Sequence, residues 1–435
     1  MFTPSGIQSR EIDPAMLLNM WAHYLDDERD KDKMIFAGIG RPTYPVNSDF
    51  AKAAMEYWKH FVNQDQGLIN LETGHLAIDY DLPAGSLKAR EKMARALSNW
   101  YKTPIDADEL IFSVGGSSAL RMIFNILNKT SPNKKTITTL PYYPFYNHPS
   151  HHNKLHFINL LQGPSCRLTA AAFEAALQSI DLKDIGAILF CDPNNPLGFV
   201  TDESEWKKIA EIIQSLPEEI PIILDEAYAE LTFISKHTSL LQLAPTLKNR
   251  IILLRSSTKG FSASGERIAV IVCSNPLLKE ALIEETIFSY AHAPKSLQYA
   301  YSEGMLAFSE KKRALLASSY HKQVQYVLDR TNKMGILFQK EGYKIEGAFY
   351  IIVDLSHLFG NKIDQSASKA LGYSGTICTD VELCYSLLFK KRIMLCPLSF
   401  FGADPNAGLI RITCSGGTTE LSLLLDRLDA VKTEL

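Results

Sequence analysis

Short apolar runs that end in polar residues, separated by amphipathic stretches, are the feature that most restricts the fold of this chain. Four of these runs are AILFC (187–191), PIIL (221–224), IILL (251–254) and IAVIVC (268–273). Strands that are buried on both faces read as continuous apolar runs of this kind. The segments AAFEAALQSI (171–180) and SEWKKIAEIIQSL (204–216) have the periodicity of helices that cover a sheet. We therefore predict an α/β fold with a mostly parallel central sheet covered by helices.

The pattern changes near Phe308. A long charged helical segment begins there and leads to the apolar runs GAFYIIVDL (347–355), RIMLCPLSF (392–400) and LIRITCSG (409–416). This order of a helix followed by several short strands predicts a smaller, antiparallel α+β domain. We predict a large domain at 46–307 and a small domain that includes 308–435. Residues 1–45 join the small domain on the strength of the family resemblance described below.

The overall composition favours neither a nucleic-acid partner nor a membrane partner. The chain has 435 residues, of which 46% are hydrophobic, and its formal net charge is only -3. Its seven cysteines are dispersed without any CxxC pair, which is typical of reduced thiols in a cytosolic protein. The N-terminus lacks the pattern of a signal peptide, and no apolar run is long enough to span a bilayer. We therefore expect a cytoplasmic protein.

Lys259 lies among small hydroxyl and glycine residues directly after the run IILL. Ligands of such sheets bind at the carboxyl ends of the strands. A partly desolvated lysine near another positive charge, here Arg267, has a lowered pKa and can act as a nucleophile. The neighbouring Ser256 and Thr258 hydroxyls would suit a phosphate. Taken alone, a solvated surface turn explains this segment better, because turns of Ser, Lys and Gly are common.

A second phosphate-binding candidate follows the predicted strand LIFS (110–113). The sequence Gly115-Gly116-Ser117-Ser118 opens an amphipathic helix. Glycines permit close approach of a ligand to the backbone, and a helix N-terminus offers free N–H groups and a positive dipole end. Capping of the helix by Ser117 or Ser118 is an equally good explanation of the same residues.

Three further polar or aromatic positions lie at strand ends. Burial of the Asp225 carboxylate after a core strand costs free energy unless the charge is paired. A pyridinium nitrogen would be such a partner. Asp225 could instead cap a helix. Asn195, in DPNNPLG, could bind a ring oxygen or close its turn. Tyr143, in PYYPFY, could stack on a flat heterocycle or belong to the core.

Taken together, the motifs D-x-x-Y (225–228), N-P-x-G (195–198), S-x-x-K (256–259) and G-x-R (265–267) resemble those of one family. Their order and spacing are similar to those of the class I/II aminotransferases, which have the fold type I of enzymes that depend on pyridoxal 5′-phosphate. The resemblance extends from GIGRP (38–42) to LIRITCSGG (409–417). It implies an aminotransferase that acts on an α-amino acid and a 2-oxo acid.

The resemblance also implies roles for individual residues around the cofactor ring. Lys259 would form a Schiff base with the cofactor and move the proton at the substrate carbon. Asp225 would keep the ring nitrogen protonated. Asn195 and Tyr228 would bind the phenolic oxygen of the ring, and Tyr143 would stack on its face.

Other roles concern the phosphate and the substrate. Arg411 would bind the substrate α-carboxylate in a bidentate manner, and Gly40 would contact it through its backbone. Tyr80 would reach the phosphate of a partner subunit, which implies a homodimer with shared active sites. The residues implied to hold the phosphate within one chain are Gly116, Ser117, Ser256 and Arg267.

Three positions depart from the family pattern. Leu197 replaces a small hydroxyl residue, Leu398 replaces a glycine, and Arg41 stands where an acidic residue is common. Leu197 and Leu398, with Phe400 and Phe401, lie near the site by motif position. They favour a neutral or partly apolar side chain on the amino donor.

Four histidines are grouped in NHPSHHNKLH (147–156), namely His148, His151, His152 and His156. Without flanking carboxylates or cysteines at suitable spacing, we predict a polar surface loop and helix and no metal site.

Two other functional classes remain open. Another enzyme of fold type I, such as a β-eliminating lyase, a cyclising synthase or an amino-acid oxidase, would carry the same motifs, since a fold does not fix the reaction. A non-catalytic sensor fused to a DNA-binding domain is disfavoured, because we find no basic helix-turn-helix segment before the first motif.

Overall fold

A seven-stranded sheet forms the centre of the larger part of the protein. The computed structural model describes residues 1–8, 12–26, 33–62, 78–148, 153–163, 165–233 and 237–431. The strands run in the order β2-β8-β7-β6-β5-β3-β4, and all are parallel except β8, which is antiparallel to both neighbours. The prediction of a mostly parallel sheet is therefore confirmed. The strands are β2 (Leu110–Ser113), β3 (Lys135–Leu140), β4 (Lys154–Asn159), β5 (Ile185–Cys191), β6 (Ile222–Asp225), β7 (Ile251–Ser256) and β8 (Ala269–Cys273).

Helices cover both faces of this sheet. One face packs against α4 and α9, and the other packs against α3, α5, α6 and α10. The buried residues of β5, β6 and β7 are apolar along nearly their whole length, as expected for strands enclosed on both sides. The helices of this part are α2 (Ser48–Val62), α3 (Leu87–Tyr101), α4 (Gly115–Thr130), α5 (Ala170–Gln178), α6 (Glu203–Gln214), α7 (Leu240–Leu243), α8 (Ser257–Gly260), α9 (Pro276–Tyr290) and α10 (Lys295–Leu306).

A second hydrophobic core is built from the C-terminal part together with the N-terminal segment. Its antiparallel sheet has the order β11-β12-β9, and β1 pairs in parallel with β10 through Ile35 and Ile393. The division into domains at residues 46 and 308 remains a prediction. The elements are β1 (Ile35–Phe36), β9 (Tyr350–Asp354), β10 (Ile393–Met394), β11 (Cys396–Pro397), β12 (Leu409–Thr413), α1 (Pro14–Leu25), α11 (Glu310–Met334), α12 (Gln365–Leu371), α13 (Asp380–Lys391) and α14 (Thr418–Asp429).

The strand directions bring the predicted polar positions to one edge of the large sheet. The carboxyl ends of β2, β3, β5, β6 and β7 point the same way, so the segments that follow them meet there. Because β8 runs in the opposite direction, Arg267, which precedes it, lies at the same edge. The topology thus gathers residues that are far apart in sequence.

The histidine segment differs from the prediction of a loop and helix. His156 lies on β4, an edge strand, where its Nε2 is 3.0 Å from the Ala176 carbonyl oxygen and 2.9 Å from the Ser179 hydroxyl. The segment KLHFIN pairs with β3 on one side only, which explains why polar residues are tolerated in a strand. His148 precedes the strand, whereas His151 and His152 lie outside the described residues.

The described ranges contain neither a cluster of metal ligands nor a helix that could span a membrane. No group of three or more His, Cys, Asp or Glu side chains there is arranged to hold a metal ion. None of the helices described has both the length and the apolar composition needed to cross a membrane.

Candidate active site

Lys259 lies in the four-residue helix α8, which begins directly after β7, and not in an open turn. The helix begins at Ser257 because the Ser256 hydroxyl accepts a hydrogen bond from the Thr258 N–H at 3.2 Å. The Lys259 ammonium donates to the Gly40 carbonyl oxygen. Burial, together with the charges of Arg411 and Arg267, lowers the pKa of Lys259 to about 7, and Asp225 acts in the opposite direction. A large fraction of the amine is therefore neutral and nucleophilic near pH 7.

Asp225 ends β6 as a buried carboxylate. Its Oδ2 accepts a hydrogen bond from the Tyr146 hydroxyl at 2.6 Å, and its Oδ1 accepts from the Ala227 N–H at 3.3 Å. Burial raises the pKa of Asp225, while these two hydrogen bonds and Lys259 oppose that effect. A turn, and not a helix, follows β6, so Asp225 does not cap a helix. The carboxylate therefore faces a site in which a cationic partner would be stabilised.

Arg411 lies on β12 with only 5% of its surface exposed, so its guanidinium lies inside the protein and does not face solvent. Its Nη1 donates to Asn195 Oδ1 at 2.8 Å, and its Nη2 donates to the Gly38 carbonyl oxygen. Its buried Nε has no hydrogen-bond partner among the described residues. Both of these hydrogen bonds go to neutral oxygens, so the charge of the guanidinium is available to a carboxylate.

Aromatic side chains enclose this guanidinium and the lysine. The Arg411 Cζ atom is 4.2 Å from the ring centroid of Tyr350 and 4.6 Å from that of Phe401. The Tyr228 and Tyr350 hydroxyls are 2.6 Å apart. Tyr143 is half-buried, and its ring packs edge-on against Tyr146 at 5.6 Å.

The start of α4 and Arg267 together form a positively polarised recess. The helix begins at Gly115 and has no side-chain cap, so neither Ser117 nor Ser118 caps it. Gly115 has φ +76°, and a Cβ atom there would lie 2.5 Å from Arg267 Nη2, so glycine is required for this approach. A Cβ atom on Gly116 would lie 4.0 Å from the Ser256 Cβ. Free N–H groups, a guanidinium and a hydroxyl therefore converge, as an anion site requires.

The structure does not bring every predicted residue into this site. Tyr80 is 84% exposed, and its ring packs against His292 at 6.1 Å. Leu197 and Leu398 are buried in the hydrophobic core of the large sheet, and Phe400 is half-buried against it. Arg41 Nη2 is 3.5 Å from Glu420 Oε1, and both side chains lie at the surface of the second hydrophobic core.

Two tyrosines of the site, Tyr146 and Tyr350, were missed by sequence reasoning. Tyr146 lies three residues after Tyr143 in PYYPFY, so the run of aromatic residues was a signal that could have identified it. Tyr350 lies in GAFYIIVDL and reads simply as the start of a core strand.

Comparison with known proteins gives consistent results over almost the whole chain. A family model described as "Aminotransferase class I and II" matches residues 38–428. An aspartate aminotransferase of Thermotoga maritima is 24% identical over 90% of this chain and 89% of its own. A (5-formylfuran-3-yl)methyl phosphate transaminase of Methanocaldococcus jannaschii is 26% identical over 92% of both chains. The crystal structure of the aspartate aminotransferase from Rhizobium meliloti superposes with a TM-score of 0.78, at 20% identity, over 99% of this chain and all of that one.

Proposed function

The chain belongs to the class I and II aminotransferase family and is an aminotransferase, and we propose that it uses pyridoxal 5′-phosphate attached to Lys259 to transfer the amino group of an α-amino acid to a 2-oxo acid. One observation carries this proposal. The half-buried Lys259 amine, with a pKa lowered to about 7, lies in the same site as the Asp225 carboxylate and the charges of Arg411 and Arg267. Such a lysine is suited to Schiff-base chemistry.

The residues present fit the proposed cofactor. The recess formed by the start of α4, Ser256 and Arg267 would hold its phosphate. Asp225 would hold its ring nitrogen, and Tyr143 would stack on its ring. When bound, pyridoxal phosphate supplies a protonated heterocycle that withdraws electrons from the substrate α-carbon.

The protein side chains would perform the remaining tasks. The hydrogen bonds from the Tyr146 hydroxyl and the Ala227 N–H oppose the rise in the pKa of Asp225 that burial causes, and so favour the ionised form that would hold a proton at the ring nitrogen. The Lys259 amine would remove and return the proton at the substrate Cα. Arg411 orients the substrate by its carboxylate, and the walls formed by Tyr350 and Phe401 exclude water.

We further propose a donor with a neutral or partly apolar side chain. Arg41 is the candidate to bind the side-chain carboxylate of an acidic donor. Its Nη2 pairs with Glu420 at 3.5 Å, and its guanidinium carbon is 5.9 Å from the Phe36 ring centroid. These two contacts hold the Arg41 side chain at the surface of the second hydrophobic core. Phe401 adds an apolar wall beside Arg411. Aspartate is the competing donor, because two relatives are named aspartate aminotransferases.

A screen of amino donors tests both the reaction and the donor. We expect leucine, phenylalanine or alanine to remove the absorbance of the lysine-bound cofactor faster than aspartate or glutamate, by about tenfold or more in kcat/KM, because an acidic side chain would lack a cation. With amino acid alone, a transaminase stops after one turnover per site, whereas a lyase or oxidase continues and releases ammonia. A preference for aspartate that is lost in Arg41→Ala would contradict the neutral donor, and continuous ammonia release would contradict transamination.

Arg411→Lys should weaken all carboxylate substrates together. Lysine keeps the charge but loses the paired donors, so we expect kcat/KM to fall by about 10- to 100-fold, and further in Arg411→Ala. Steady-state kinetics with several amino acids would measure this, and cofactor affinity should stay unchanged.

Two controls separate this effect from destabilisation. The first control is Arg313→Lys, which changes another buried arginine that lies outside the site. The Nη1 of Arg313 donates to the Thr232 carbonyl oxygen at 3.1 Å. Amines that lack a carboxylate should react equally with wild type and Arg411→Ala. An equal loss with such amines would refute the role of Arg411.

We propose that the enzyme is a homodimer whose sites are completed by Tyr80 of the partner subunit. Within one chain, Tyr80 is largely exposed, and it lines a cavity together with Tyr57, Trp58 and Ile78. Trp58 and Ile78 are also exposed, at 50% and 44%. Exposed aromatic and aliphatic residues grouped in this way are typical of a protein interface.

Mixing Lys259→Ala with Tyr80→Ala subunits should restore activity. In each mixed dimer, one site carries both changes and the other carries neither, so random mixing should give about a quarter of the wild-type rate. Activity after unfolding and refolding of the mixture would measure this. A mixture of Lys259→Ala with Asp225→Ala is the matched control and should stay inactive, because one chain supplies both groups. A fully active monomer would contradict the proposal.

A further inference from the structure

Tyr350 is the first residue of β9, and its side chain lies at the centre of the candidate site. It is 1% exposed, and its hydroxyl is 2.6 Å from the Tyr228 hydroxyl. A Cβ atom on Gly40 would collide with the same hydroxyl and would lie 3.1 Å from Lys259 Nζ. The Tyr350 hydroxyl is therefore fixed between Tyr228 and the Gly40 backbone, next to the proposed Schiff-base lysine.

The surroundings of Tyr350 keep its phenol protonated. Burial raises the pKa of Tyr350 to about 12, although the Arg411 charge and the hydrogen bond with Tyr228 oppose the effect, and Tyr143 and Cys191 add to it. Burial likewise raises the pKa of Tyr228 well above its usual value of 10. Both phenols are therefore hydrogen-bond donors at neutral pH, and the two hydroxyls share one hydrogen bond.

The direction of that hydrogen bond follows from the task of Tyr228. If Tyr228 donates its only proton to the phenolic oxygen of the cofactor ring, its own oxygen is left as an acceptor. Tyr350 is the hydroxyl next to that oxygen, at 2.6 Å. Successive hydrogen bonds polarise one another in a buried site, so the second donor strengthens the first.

We propose that Tyr350 is a positioning residue that donates to the Tyr228 oxygen and so fixes and strengthens the hydrogen bond from Tyr228 to the cofactor's phenolic oxygen. This inference rests on the proposed function, since it requires pyridoxal phosphate beside Tyr228. Tyr350 would act through Tyr228 and not on the reacting atoms. Its ring would separately support Arg411, whose Cζ atom lies 4.2 Å from the ring centroid.

Tyr350→Phe removes one oxygen and keeps the ring beneath Arg411. A weaker hydrogen bond makes the phenolic oxygen of the cofactor more basic, so the proton shared with the lysine linkage is held more tightly. We expect the absorbance titration of the substrate-free holoenzyme to shift upward by about half a pH unit to one pH unit. Cofactor affinity, measured by fluorescence on the cofactor-free protein, should fall about threefold to tenfold.

A double-mutant cycle separates this relay from independent effects. Tyr228→Phe should shift the titration further than Tyr350→Phe, and the double variant should shift it no further than Tyr228→Phe alone. The matched control is Tyr385→Phe in α13, because that buried hydroxyl has no hydrogen-bond partner in the described part of the chain. This control should leave the titration unchanged.

Each remaining outcome decides a different question. Additive shifts in the double variant, or an unchanged titration with a raised KM for amino acids in Tyr350→Phe, would overturn the relay. In the second case the hydroxyl would act on the substrate. Wild-type protein that gains no pH-dependent absorbance with pyridoxal phosphate would overturn the proposed function instead.

Discussion

Lys259→Ala is expected to abolish turnover while the fold stays intact. The side chain provides both the amine for covalent attachment and the base at the substrate carbon, so we expect kcat to fall by roughly 10⁴-fold or more. Pyridoxal phosphate should still bind through the recess at α4, but without the absorbance band of the lysine-bound form. Absorbance spectra before and after dialysis would show the loss of covalent attachment, and circular dichroism would monitor the fold.

The matched control for this variant is Lys248→Ala. Lys248 is also half-buried, but its ammonium is 2.7 Å from Glu109 Oε1 and donates to the Pro104 carbonyl oxygen at 2.6 Å. Removing it deletes an ion pair beside the amino ends of β2 and β7, at the edge of the sheet opposite the site, and should leave turnover and the absorbance band unchanged. Appreciable activity in Lys259→Ala would show that another group forms the Schiff base.

The fold and the strand-end residues could be predicted because both depend on local patterns. The apolar run of four residues at 251–254 identifies the strand β7, and the residues that follow the strand must lie at the carboxyl edge of the sheet. The positions of Asp225 and Lys259 therefore followed from the sequence alone. The strand β4 was not predicted, because a short edge strand with polar residues lacks the apolar run of a buried one.

The contacts between these residues could not be predicted, because they join distant parts of the chain. Arg411 donates to Asn195, 216 residues away, and Tyr350 bonds Tyr228, 122 residues away. Tyr350 reads as an ordinary core residue in its strand, and only the packing of β9 against the segment after β6 shows that its hydroxyl enters the site. Partners of this kind depend on the tertiary structure and not on any periodicity.

Asp225→Ala is expected to slow catalysis by several orders of magnitude. Without the carboxylate, the ring nitrogen of the cofactor would lose its proton, and the negative charge formed at the substrate carbon would lose its electron sink. Removing one partner of a buried charge pair costs about 3–5 kcal/mol. This corresponds to roughly a 150- to 5,000-fold loss in kcat. Single-turnover kinetics with a saturating amino acid would measure the effect directly.

Two variants distinguish this electrostatic role from a structural one. Asp225→Glu keeps the charge and should retain more activity than Asp225→Ala. Tyr146→Phe keeps Asp225 but removes the donor that lies 2.6 Å from its Oδ2, so it should cause a smaller loss that grows as the pH falls, because the carboxylate then protonates more easily. Burial already raises the pKa of Asp225, and Tyr146 is the largest opposing influence. Near-normal rates in Asp225→Ala would leave the carboxylate with a structural role only, since nothing else in the proposed mechanism would depend on it.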